Sequence, residues 1–144
     1  MNKTQQKARH YSQVLNQVIE RTQAIQEELN PQFEEIKTAL ANDQLTAMKS
    51  SHYLEIEGQF QHGTDEYQQL AAQLQQATPP AKLMGLNFSL VKVYREYVAA
   101  CQAMIDSMKD DRTVDISAFK AAEAAQDQTT TAMGKILVKM NQIS

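Results

Sequence analysis

The chain has 144 residues, 42% of them hydrophobic, with four glycines, three prolines, no tryptophan and a net charge of −3. That length supplies one continuous core, and so few turn-making residues argue against a fold of many short strands. Acid and base are interspersed, so neither a basic nucleic-acid surface nor an electrostatic membrane anchor is expected, and no run of about 18 apolar residues offers a spanning helix.

A first helix is predicted over residues 4 to 29, where Tyr11, Leu15, Val18, Thr22, Ile25 and Leu29 recur three or four residues apart. Asn30-Pro31 then reads as a cap followed by proline at a first helical position, with Glu34 and Glu35 placed where a helix start favours negative charge. Yet the stripe runs on in phase through Phe33, Ile36 and Leu40. One helix kinked at Pro31 therefore fits almost as well as two.

Asn42-Asp43 is the next break, with Asp43 as a candidate cap. Leu45, Met48, His52, Ile56, Phe60, Gly63, Tyr67, Leu70 and Leu74 hold helical spacing after it. Gly58 and Gly63 each weaken that stretch by about 1 kcal/mol, so a break near Gly63 is expected to be cheap, with Thr64 capping a restart. Thr78-Pro79-Pro80 is the firmest boundary, because two prolines can begin a helix but not sit inside one.

The third helix, roughly 82 to 109, carries the clearest pattern: Leu83, Leu86, Leu90, Tyr94, Tyr97, Cys101, Met104 and Met108. One helix cannot bury such a stripe alone, so the pattern demands partner helices. A polar knot from Lys109 to Thr113 ends it. Asp115 caps the fourth helix, whose stripe is Ile116, Phe119, Ala122, Gln126, Thr130, Met133, Ile136 or Leu137, Met140 and Ile143, with acids early and Lys135 and Lys139 late. The expected fold is all-α: one domain over 1–144, an elongated antiparallel up-and-down four-helix bundle with short connections.

From about Thr64 to Ser144 the pattern resembles small helical-bundle domains found in uncharacterised surface proteins and lipoproteins of Gram-positive bacteria. The matching pieces are the Pro79-Pro80 start, Leu86-Asn87, Tyr94 and Tyr97, Ala103-Met104-Ile105-Asp106, the break at Asp110-Asp111, Asp115-Ile116-Ser117-Ala118-Phe119 and the Ala-rich last helix. The resemblance implies an exported, non-catalytic domain. The opening residues, 1 to 11, are polar and contain no apolar signal core.

Chemistry-bearing motifs are few. Met84, Phe88 and Val91 form a second apolar stripe on helix three, more than a third of a turn from the first. A wide bundle face is expected to bury it; left exposed, it is the surface an unknown protein partner or a second copy would use. Asn87, Tyr94 and Tyr97 share the main seam and are candidates to line a small polar pocket between helices, as in a ligand-binding or sensor bundle. The methionines at 104, 108, 133 and 140 read as core, and Cys101, mid-helix on the seam, as an inert core thiol.

His52, Glu55, Gln59, His62 and Glu66 drift along one helix side, but His52 and His62 are about 15 Å apart in a regular helix, too far for one ion. No metal or cofactor is expected. Phosphate-loop, dinucleotide, zinc-protease and serine-hydrolase motifs do not occur. The leading expectation is a non-catalytic interaction module, with a ligand-binding bundle second and a metal-binding bundle third.

Overall fold

The computed structural model describes residues 2–143. Four helices follow one another: α1 (Lys3–Ala41), α2 (Ser50–Gln76), α3 (Met84–Ser107) and α4 (Ile116–Ile143), with single 3-10 turns at Leu45–Ala47 and Ala81–Leu83. No strand occurs among the described residues; one isolated bridge, Met108 to Val114, ties the ends of the α3–α4 connection. Neighbouring helices run antiparallel, so the bundle is up-and-down.

Pro31 does not divide α1, which continues for 39 residues, about 58 Å. The proline is exposed, so the carbonyl it leaves without a donor faces solvent and can take water instead. Tyr11, Val18, Thr22 and Ile25 before it and Ile36 after it are buried on one face. Burial of that order outweighs the roughly 3 kcal/mol a proline costs inside a helix. Glu34 and Glu35 are thus mid-helix, and the Glu35 carboxylate sits 2.7 Å from Nε2 of His52.

The break at Asn42-Asp43 is present. Asp43 is no cap for α2: its backbone takes a left-handed conformation (φ 53°) just past the end of α1, where a short polar side chain is tolerated. Leu45 and Met48 precede α2 and are not part of it. No break follows at Gly63, and Thr64 is buried inside α2 rather than capping anything. Gly63 has a packing role instead: a Cβ there would come within 2.7 Å of Cδ1 of Leu29 and 3.2 Å of Cγ2 of Ile25, so its bare backbone lets α2 approach α1.

Two clusters make up the core. One includes Tyr11, Val18, Leu74, Leu90, Tyr94 and Met140; the other Ile36, Tyr53, Ile56, Met104, Met108 and Phe119. At the second end, Arg112 (φ 65°) donates to the carbonyls of Thr46 at 2.9 Å and Met48 at 2.8 Å, fastening the α3–α4 connection onto the α1–α2 connection. Asp115 caps α4 as expected, accepting from the amide of Ala118 at 3.1 Å. Ile116 and Ile143, placed on the α4 stripe by spacing, are exposed, and Thr129 rather than Thr130 is buried.

Of the neighbouring pairs, α3 and α4 pack closest and α1 and α4 least closely. Alanine explains the first: Ala100 and Ala122 are buried, and small side chains at a contact shorten the distance between axes. Drawn onto α3, α4 leaves a partly open seam against α1.

Candidate functional site

Asn87, Tyr94 and Tyr97 are all buried, as their spacing predicts, but they do not assemble into one pocket. Each is spent on tying α3 to α1 across the bundle. Asn87 Oδ1 accepts from the Tyr11 hydroxyl at 2.6 Å, and its Nδ2 donates to the Leu74 carbonyl at 3.3 Å. The Tyr94 hydroxyl meets Thr22 Oγ1 at 2.8 Å. The Tyr97 hydroxyl accepts from Gln26 Nε2 at 3.0 Å and donates to the Tyr67 hydroxyl at 3.5 Å. Among the described residues no buried side-chain nitrogen or oxygen lacks a partner. These pairs satisfy polar groups that burial would otherwise penalise by about 1–3 kcal/mol each, and they fix the register of α1 against α3.

Tyr97 alone of the three reaches a cavity. It lies in the α1–α4 seam, has a volume of about 310 Å³, and is floored by Tyr67, Tyr97, Cys101, Met104 and Phe60. Tyr67 and Tyr97 meet edge to face, with ring centroids 5.2 Å apart. Burial raises the pKa of both phenols, Tyr97 to about 12, and lifts that of the Cys101 thiol to about 12. The floor is therefore uncharged at neutral pH: ring faces, hydroxyls and a thiol.

The mouth is different. Gln26 and Asn30 stand on the α1 side, Glu123, Gln126 and Asp127 on the α4 side, and no lysine, arginine or histidine lines it. Just outside, Lys37 Nζ reaches Glu123 at 2.8 Å. That hydrogen bond, the charge of Glu123 and the more distant Glu34 and Asp127 hold the ammonium above its ordinary value. Three carboxylates thus surround one cation.

Spacing along the chain did not reveal this seam, because periodicity shows which face a helix buries and not how far apart two helices stand. The alanines at 118, 121, 122, 124 and 125 were the available signal.

Cys101 is inert in this setting. A thiol with a pKa near 12 has almost no thiolate at pH 7.5. Maleimide labelling of the folded protein is expected to be at least about 100-fold slower than of the urea-unfolded chain. Equal rates would show that the thiol is open to solvent.

The second α3 stripe departs from expectation. Met84 is 60% exposed and Phe88 74% exposed, whereas Val91 is half-buried against the first core cluster. The stripe Leu86–Leu90–Tyr94 already occupies the surfaces that α2 and α4 offer, and residues over a third of a turn away lie beyond them. Gly85 adjoins the exposed pair, with nothing within 4 Å of where its Cβ would be.

The histidines do not converge. His52 faces Glu35 across the α1–α2 interface, and the hydrogen bond from Arg21, with a smaller contribution from His62, holds the pKa of Glu66 below its ordinary value. Among the described residues, no three His, Cys, Asp or Glu side chains come together as a metal site, and no helix is long and apolar enough to cross a membrane. Comparison with family models, with curated proteins and with solved structures finds no match to this chain.

Proposed function

We propose that this chain is a non-catalytic helical module that works by surface contact, and that the exposed ridge of α3 pairs with a second copy of the chain. The observation that carries this reading is Phe88, 74% exposed beside Met84 on a helix whose core-facing stripe is complete without them. Leaving a phenylalanine in water forgoes about 1.5–3 kcal/mol of burial, a cost that contact with a partner recovers.

Self-complementarity favours a second copy. Gly85 lies three residues from Phe88, hence on a neighbouring position of the same face. Its missing side chain makes a gap next to a protruding ring. In a two-fold arrangement residue i meets j while j meets i, so antiparallel α3 helices would seat each Phe88 in the other's Gly85 gap. A likeness of residues 64–144 to helical domains of uncharacterised Gram-positive surface proteins would imply an exported, non-catalytic module, in keeping with this reading.

Sedimentation equilibrium tests it. The parent chain is expected to form dimers, with Phe88→Ser weakening association by at least about tenfold and leaving the melting temperature unchanged at dilutions where both chains are monomeric. Gly85→Leu fills the gap: it should raise helix stability by up to about 1 kcal/mol while weakening the dimer. A parent chain that stays monomeric at about millimolar concentration, or a Phe88→Ser variant that dimerises as tightly, overturns the proposal.

A further inference from the structure

We infer that the seam between α1 and α4 is a binding site for a small organic cation, with an aromatic or compact apolar body on the floor and an ammonium at the mouth. The site is separate from the α3 ridge and does not depend on dimerisation.

Size comes first. A cavity of about 310 Å³ is at the low end of the range for small-molecule sites, about 300–1,000 Å³, so it suits a single ring system. The floor sets the chemistry of the body. Tyr97 and Cys101 are buried, and the hydroxyls of Tyr67 and Tyr97 are already engaged with each other and with Gln26. They present ring faces and sulfur to a ligand, surfaces that reward apolar and cationic groups alike.

Charge selects the head. Glu123 and Asp127 line the opening without a cationic lining residue. Glu123 is bound to Lys37, so the lining carries one negative charge in excess of that ammonium, on Asp127. A ligand carboxylate or phosphate would face like charge there, while an ammonium completes the balance. Gln26, Asn30 and Gln126 add amide oxygens that can accept from it.

Three probes that share an indolyl-ethyl body separate these elements: tryptamine, neutral tryptophol and anionic indole-3-propionate, each titrated calorimetrically into the full chain at neutral pH. Tryptamine is expected to bind at least about tenfold more tightly than indole-3-propionate, with tryptophol between them. Asp127→Asn combined with Glu123→Gln should bring tryptamine to within about threefold of tryptophol. Asp127→Asn alone, which keeps the Lys37–Glu123 pair, should give part of that loss. Equal or tighter binding of indole-3-propionate, unchanged tryptamine affinity in the double variant, or no heat from any probe at about 10 mM overturns the assignment.

Discussion

Leu90→Asp is expected to abolish cooperative unfolding at pH 7. Leu90 is 3% exposed in the middle of the α3 stripe, within the cluster that holds Tyr11, Leu74, Met133 and Met140. Truncating such a leucine costs about 2–5 kcal/mol through lost burial and the cavity left behind. The carboxylate adds a charge in a region whose polar atoms are already paired, a further penalty of several kcal/mol. A domain of this size has about 5–15 kcal/mol in total, so the sum consumes most or all of it. The damage should also depend on pH in a definite direction. Burial raises the folded-state pKa of the introduced carboxyl above its unfolded value, so the protonated form is the one the fold tolerates. Stability is therefore recovered as pH falls toward the unfolded value of about 4 and lost as it rises. Leu90→Met, which conserves volume, should cost less than about 1.5 kcal/mol. Circular-dichroism melts at pH 4.5 and 7 measure all three; a sharp transition at pH 7 near the parent temperature would mean that Leu90 does not lie in this seam.

The reason α3 could be read so completely is its uninterrupted phase. Leu83 through Met108 contains no glycine on the stripe, and every stripe residue except the half-buried Leu86 is buried where spacing places it. Phase was lost elsewhere, wherever regular helix had not begun. Leu45 and Met48 belong to a turn and its exit, so extrapolating from them put exposed His52 on the core face. Counting back from Ile56 inside α2 reaches Tyr53, which is fully buried and donates to the Thr113 carbonyl at 3.4 Å. On α4 the choice of Thr130 over Thr129 is a one-residue error in a pattern that alternates steps of three and four. Pro31 and Gly63 both looked like breaks because local propensity is a matter of one to three kcal/mol, less than the apolar burial on either side of them. The candidate binding seam has a different origin: it arises from the unequal spacing of α4 between α3 and α1, a property of pairs of helices far apart in sequence.

That unequal spacing makes the second large prediction. Phe119→Ala is expected to destabilise the protein by about 3–5 kcal/mol, lowering the melting temperature by roughly 10–20 °C for a chain of this length. Phe119 is 2% exposed and stacks on Phe33 of α1, with ring centroids 6.1 Å apart and planes within 5°. At this end of the bundle the stack and the Lys37–Glu123 pair bridge α1 and α4. The ion pair is exposed and contributes at most about 1 kcal/mol, so the rings are the larger contribution there. Phe33→Ala should cost less, since Phe33 is only half-buried, and the double variant should show a coupling of about 0.5–1.5 kcal/mol. Removing the ring also has a local signature. Hydrogen exchange should accelerate first in the opening turns of α4 and the last turns of α1, before the Tyr11–Asn87 end responds, because the first core cluster does not include Phe119. Uniform acceleration along all four helices, or a loss below about 1 kcal/mol, would show that α1 is held to α4 by something other than this aromatic contact.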